Sequence, residues 1–483
     1  MLNNKEKFKT VISELLNNAN SNIIIKKIKC SLGEINILYI KQLTDIEKLT
    51  SNIIRPLMEF IGDNNKLLNS DTAINQIFFV ADIVLESDSS LILEHILNGQ
   101  TVIILPNENN YLIANIKKFE KRAVESPELT FSLRGPRDSF SEDLDTNLSL
   151  IRYRIKDKEL KIENFLVGKR TKSKVALLYL GDVANDKPVN LIRERINKIE
   201  TDGVYESGEL QKALLNNKFS LFPQMGLAER SDMACGALLE GKVIVLVEGS
   251  GLALIAPKTF GEFFVSCDDG YDNQYSSAFL KLLRQVAALF SVSLSSLFII
   301  VSSFEHDILP AEYINSLALS RANVPWNAFT GVLLLEVIIE ILREALLRVP
   351  KQIGPAVGIV GGIIIGQASI SAGIFSPLLL IMVALEFMSS FVASDYTIMN
   401  SLRVCKLFLI IITGVVDLFG FTMGFCFLMT NIISTNSFGV PYLSPVAPFN
   451  FMDFKNSYFF NKKIATNRPH FLKTKDNVRT KNK

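Results

Sequence analysis

The spacing of apolar and polar positions changes character along the chain. Up to residue 275, short apolar runs alternate with polar stretches; beyond it, charge-free runs long enough to cross a bilayer take over. In the first region INILYI (35–40) is an apolar run that predicts a buried strand, and KQLTDIEKLTSNIIRPLMEF after it predicts a helix. The same order returns with VALLYL (175–180) and GDVANDKPVNLIRERINKIE. A second pair follows in register. LILEHILNGQTVIILPNENNYLIANI (91–116) and MACGALLEGKVIVLVEGSGLALIAP (233–257) each predict helix, strand, turn, strand. Gly99 and Gly241 stand where a helix would end in a left-handed cap, and Glu248-Gly249-Ser250-Gly251 suits a hairpin turn. A repeated order weighs more than any single segment.

The repeat predicts two related α/β subdomains, 33–125 and 165–275, behind an N-terminal extension (1–32) and joined by a polar connector (126–164). A cleft between the two lobes could hold a ligand; a rigid packed interface accounts for the same pattern. From 276 to 450 the chain predicts a transmembrane helical domain. Val286–Phe304 carries no charge over a membrane-spanning length, with Lys281 and Arg284 before it, which places the N-terminal region in the cytoplasm. Ile353–Leu385 is also charge-free. The run around it breaks near Ser371-Ala372-Gly373 and Ser376-Pro377, giving two helices. Leu407–Ile433 contains only Asp417 and predicts one long or tilted span. The fold class is therefore an α/β soluble region of two related subdomains followed by an all-α polytopic membrane domain.

Residues 328–349 are the exception to the charge-free pattern. Glu336, Glu340, Glu344 and Arg348 recur every four residues and form one helical stripe, with Arg343 placed to pair with Glu340 and Arg348 with Glu344. Charges at bilayer depth are costly, so the stripe faces protein, water or the membrane surface. Three readings stay open: an amphipathic helix lying at the interface, a charge network between helices, or the lining of a polar path. Glu386 and Asp417 are lone intramembrane carboxylates and functional candidates on the same cost argument, and Gln367 is a polar group in the small-residue stretch GIVGGIIIGQASISAG. The tail (451–483) is rich in Lys and Arg and predicts a disordered cytoplasmic segment near anionic lipid. With both ends cytoplasmic the span count is even, which favours four spans with 328–349 lying flat; a crossing helix there would give five.

Charge narrows function further. With 51 Lys+Arg against 49 Asp+Glu the chain has no electrostatic footprint for nucleic acid. A mean hydropathy of +0.26 argues against an ordinary soluble enzyme. Five cysteines without a CxxC pair predict neither a zinc site nor a disulfide framework, and no cofactor or metal is expected. GKRTKS (168–173) lacks the first glycine of a phosphate-binding loop, and the three histidines are far apart, so no catalytic residue is assigned. The first 30 residues show no signal-peptide pattern.

Four blocks carry a family resemblance. They are SLRGPRDSFSEDLDTNLSLIRYR, FPQMGLAERSDMACGALLEGKVIVLVEGSGLALIAP, EILREALLRVPKQIGPAVGIVGGIIIGQASISAGIFSP and SFGVPYLSPVAP, in that order between about Pro127 and Pro448. The chain resembles the A subunit of spore germinant receptors, the GerA family of spore germination proteins. The motif positions carried over are Arg134, Pro136, Arg137, Asp138 and Glu142 in the connector, and Glu229, Arg230 and Asp232 in the following loop. The family usually reads TERPD where this chain has Ala228-Glu229-Arg230-Ser231-Asp232. The resemblance implies a non-enzymatic, multi-pass protein of the spore inner membrane. It implies action with a transporter-like B subunit and a lipoprotein C subunit, converting nutrient sensing into ion release. Homo-oligomerisation into a ligand-gated ion channel is one form of that role. Glu336, Glu340, Arg343, Glu344, Arg348, Gln367, Glu386 and Asp417 are then the gating candidates. A secondary transporter and a membrane-anchored enzyme using Arg134, Arg137, Asp138 and Glu142 are the competing classes.

Overall fold

The computed structural model describes residues 23–30, 33–61, 69–106, 108, 110–117, 127, 135–215, 220–304, 310–350, 353–459 and 466–479. These form two compact units. One holds the residues up to 215 with 227–257 and 466–479; the other holds 220–226 with 258–459.

The first unit contains the repeat. β1 (Ile23–Cys30), β2 (Gly33–Ile40), β3 (Ile83–Glu86), β4 (Thr101–Ile104) and β5 (Tyr111–Ala114) make a five-stranded sheet in the order β1-β2-β4-β5-β3. β6 (Leu160–Val167), β7 (Ser173–Leu180), β8 (Gly226–Ala228), β9 (Val243–Val247) and β10 (Ala253–Ala256) repeat that topology as β6-β7-β9-β10-β8. Each sheet opens on a long antiparallel pair, Ile23↔Ile40 to Cys30↔Gly33 and Leu160↔Leu180 to Val167↔Ser173. Each sheet thus begins upstream of the sequence-based subdomain limits at 33 and 165.

Alternation explains the apolar runs. On β2, Ile35 and Ile37 join Leu49, Ile53 and Leu57 of the helical stretch 46–61 (α1) on one face. Leu38 and Ile40 meet Ile92 and Ile96 of α2 (Ile92–Leu97) on the other. Both faces are covered, so every second residue is not forced to be polar. In the second sheet Leu178, Ile244 and Leu246 pack against Leu148 and Ile151 of α3 (Leu144–Arg154). They also pack against Ala234 and Leu238 of α6 (Ser231–Leu239); α4 (Asp186–Asn197) and α5 (Ser207–Leu214) lie between these in sequence.

The basic tail departs from its expected disorder over 466–479. Arg468 donates to the Leu239 and Val478 carbonyls, and Lys475 donates its N–H to the Val183 carbonyl while its ammonium lies 2.7 Å from Asp186. The cations are committed to carbonyls and carboxylates of the second subdomain, which fixes the strap in place.

The second unit is helical: α7 (Gln274–Phe304), α8 (Ala311–Arg321), α9 (Ala328–Arg348), α10 (Gly354–Ser371), α11 (Pro377–Ser390) and a 39-residue segment, Tyr396–Ser434. α7, α10 and Tyr396–Ser434 are long and apolar enough to cross a membrane. The last does not run straight. Asp417 has φ 63° and ψ −150°, and the Phe408 and Phe427 rings lie 5.7 Å apart. On a straight helix, positions so far apart in sequence would be separated by about 28 Å. The segment is a hairpin of two limbs, α12 (396–416) and α13 (418–434). Gly420 permits the reversal: a Cβ there would sit 2.5 Å from the Ile412 carbonyl oxygen. The single helix expected over Leu407–Ile433 is therefore two limbs, because hydropathy does not register a reversal made by one residue.

α9 packs lengthwise against its neighbours. Its residues 340 and 336 meet 403 and 406 of α12 in antiparallel order, and Gly358 and Gly361 of α10 face Leu346 and Leu342. α9 thus packs against both α10 and α12. α14 (Phe451–Tyr458) follows the bundle.

Candidate functional site

The α9 stripe runs from a dry interior to an exposed end. Glu336 has no solvent exposure, whereas the Glu344 and Arg348 side chains are 63% and 78% exposed and pair with each other at 2.7 Å. Around Glu336 the structure gathers groups from four helices. Lys406 of α12 donates to Glu336 Oε2 at 2.5 Å. Ser295 of α7 donates its hydroxyl to Glu336 Oε1 at 3.3 Å and its backbone N–H to Glu386 Oε2 of α11 at 2.8 Å. The Ser295 hydroxyl also bonds Glu386 Oε2, and Glu386 Oε1 is buried without a hydrogen-bond partner. Ser295, Glu336 and Glu386 are all fully buried and Lys406 is 2% exposed.

The run Ser291–Ser296 makes this possible, since short side chains let α7 approach its neighbours closely while supplying hydroxyls. A second layer lies beside the first. Glu340 accepts from Arg403 at 3.0 Å and lies 3.5 Å from Arg343, whose guanidinium sits over the Phe387 and Phe391 rings at 4.9 and 5.5 Å. The pairs Arg343–Glu340 and Arg348–Glu344 follow the helical spacing. Lys406, Arg403 and Ser295 escape a sequence reading because they are remote from Glu336 along the chain. The available signal is energetic: an intramembrane carboxylate needs a cation, and Lys406 borders the apolar run Leu407–Ile433. Gln367 is exposed on α10, and Asp417 is apart from the cluster at the hairpin reversal, its Oδ1 buried and unpaired. These two do not join Glu336 and Glu386.

The connector and loop motifs meet in the first unit. Arg154 clamps Asp138 through one nitrogen at 2.7 and 2.8 Å, and its Nε donates to the Ser231 hydroxyl at 2.8 Å. Ser231, remote in sequence, donates in turn to Asp138. Burial alone would raise the Asp138 carboxyl, but the Arg154 and Ser231 bonds outweigh it and hold it below the usual range. Arg230, 1% exposed, forms a bidentate pair with Asp232 at 3.0 and 2.7 Å. The backbone carbonyls of Glu229 and Glu142 accept from Phe140 and Gly249, tying connector to loop. Arg137 is exposed and Pro136 half-buried; Arg134 lies outside the described residues. Burial pushes the nearby Cys235 thiol up to about 12, which makes it a poor nucleophile. Among the described residues no group of three metal-ligating side chains occurs.

The family model for the Bacillus/Clostridium GerA spore germination protein matches residues 10–471. This chain belongs to the GerA family. It is 30% identical over 473 residues to the spore germination protein GerLA of Bacillus cereus, covering 94% of this chain and 96% of that one. It is 32% identical to the spore germination protein KA of Bacillus subtilis, covering 95% and 85%. Among solved structures it is similar to the N-terminal domain of the A subunit of the Bacillus megaterium spore germinant receptor GerK3, with 25% identity, a TM-score of 0.39 and coverage of 53% of this chain and 95% of that one. GerA membership assigns this chain a role in spore germination.

Proposed function

We propose that this chain is the A subunit of a nutrient-sensing germinant receptor. In this reading it acts in the spore inner membrane with a transporter-like B subunit and a lipoprotein C subunit. Its helical bundle gates ion release, in the form of a homo-oligomeric channel, and the chain is not an enzyme. The observation that carries the reading is the cluster Ser295–Glu336–Glu386–Lys406. It joins α7, α9, α11 and α12 through charge at a depth where charge is costly, so a shift of any one helix breaks a bond that water does not replace. Such a cluster gives the bundle discrete arrangements rather than a continuum, which a gate requires.

In this reading both ends face the cytoplasm, and an even number of crossings is supported by 466–479 belonging to the same unit as the residues that precede α7. Asp138, Glu142, Glu229, Arg230 and Asp232 then act as structural ties of the α/β unit, and a transporter or enzyme role gains no specific support.

The test is spores carrying Glu336→Gln or Glu386→Gln at normal protein level, with nutrient-triggered cation release followed in time. The reading expects altered release kinetics in both. Unchanged kinetics in both variants would remove the cluster from the gate.

A further inference from the structure

Two sequence blocks that the charged cluster leaves unused, FPQMG (222–226) and SFGVPY (437–442), meet at Lys258 inside the second unit. Lys258 directly follows Pro257, where the chain leaves the first unit. Both of its nitrogens are committed. The backbone N–H donates to the Ser437 hydroxyl at 3.1 Å, and that hydroxyl donates to the Gln224 carbonyl at 2.7 Å. The ammonium donates to Asp395 Oδ2 at 2.6 Å and lies 4.4 Å from the centre of the Phe263 ring. Lys258, Asp395 and Ser437 are all buried. The lysine stem lies on Gly226, where a Cβ would come within 2.3 Å of Lys258 Cδ.

Asp395 is the N-cap of α12, its Oδ1 accepting from the Thr397 N–H and hydroxyl at 3.0 and 2.6 Å. Ser437 stands three residues beyond the end of α13. One residue therefore holds both open ends of the α12–α13 hairpin. We propose that Lys258 is a positioning residue for the bundle: it fixes the hairpin to the point where the chain enters the second unit, so that main-chain movement at 257–258 carries both limbs together. The ion pair is cut off from water, and parting it strands a charge, so the tie is stiff. From Asp395 to Lys406 is about 16 Å along α12, and a shift at the cap arrives there as a shift of Arg403 and Lys406 against Glu340 and Glu336. The consequence for ion release rests on the reading of that cluster as part of the gate; the tie itself does not.

The experiment follows hydrogen exchange of the full-length chain in nanodiscs by mass spectrometry. Lys258→Met should raise exchange several-fold in peptides covering 396–402 and 435–442 together. Gly226→Ala keeps both charges but drives the stem off its seat, and should do the same. Lys258→Met with Asp395→Asn removes both charges, while asparagine still caps α12. Its melting temperature should return to the parent value, yet exchange at both hairpin ends should stay raised. Should Lys258→Met alone not fold, the other two variants carry the test. In spores the double variant, at normal protein level, should alter nutrient-triggered cation release. Exchange that recovers with the melting temperature, a rise confined to 258–264, or parent release kinetics in the double variant makes the pair structural only and overturns the proposal. Failure of the gate reading shows elsewhere, as unchanged release in Glu336→Gln and Glu386→Gln, and leaves the exchange results in force.

Discussion

Lys406 reaches Glu336 at 2.5 Å inside the helical bundle, and both side chains are buried. Removing one partner leaves a buried charge without its counterion, which costs about 3–5 kcal/mol, whereas replacing both by apolar groups of similar size is often neutral. Lys406→Met alone should therefore destabilise the protein by that order. Lys406→Met with Glu336→Leu should recover most of the loss. Thermal melting of the detergent-purified full chain checks this; equal losses in the single and double variants would show that the pair is not the unit of stability.

The reversal at Asp417 yields a distance prediction. With Phe408→Cys and Phe427→Cys in a background free of native cysteines, a short thiol cross-linker should join the two positions within one chain, since the parent rings are 5.7 Å apart. A straight helix would hold them about 28 Å apart and give no product. Gly420→Ala should disrupt the hairpin more than Gly424→Ala. The first Cβ meets the Ile412 backbone oxygen at 2.5 Å, while the second meets the flexible tip of Leu409 at 2.9 Å.

These features also show what a sequence yields. The duplicated sheet is legible because each strand is an apolar run set in the same order of helix, glycine and turn. β1 is harder, since Lys26, Lys27 and Lys29 interrupt the isoleucines of an edge strand that is covered on only part of its surface. The α9 stripe is legible from its four-residue spacing, and its pairs with Arg343 and Arg348 are local. The partners of Glu336 and Glu386 are not, because tertiary packing chooses them from helices far away in sequence. Asp417 is visible as a lone carboxylate, but only its left-handed φ shows that the chain turns there.

Asp138 sets an acid limit on the first unit. Its folded pKa lies below the usual carboxylate range of about 3.9, so the Arg154 and Ser231 bonds contribute stability that is present above that value and is lost as pH falls through the folded pKa. Hydrogen exchange in peptides covering 144–154 should rise as pH is lowered below about 4, after correction for the intrinsic rate. Asp138→Asn should flatten that rise, and a slope unchanged by the substitution would assign it to other carboxylates.

Ser231 is the first residue of α6, where proline suits the helix start, so Ser231→Pro fits the backbone there. It removes the hydroxyl that bridges Arg154 and Asp138 but leaves the Arg154–Asp138 clamp intact. The net change in stability should stay within about 1 kcal/mol, since one hydrogen bond is exchanged for a pre-set φ. A loss of several kcal/mol would show that the hydroxyl, not the ion pair, holds connector to loop.

The strap at 466–479 ties topology to a measurable outcome. Arg468 bonds the Leu239 carbonyl and Lys475 the Val183 carbonyl, so the tail belongs to the same unit as β6 to β10. A polar α/β unit does not cross a bilayer, so a chain that leaves this unit at Pro257 and rejoins it must return to the same side. Lys158→Cys and Lys473→Cys, each as the sole cysteine, should therefore react with an impermeant maleimide from the same face of sealed vesicles. Opposite labelling would require an odd number of crossings, whatever the role of the ion cluster.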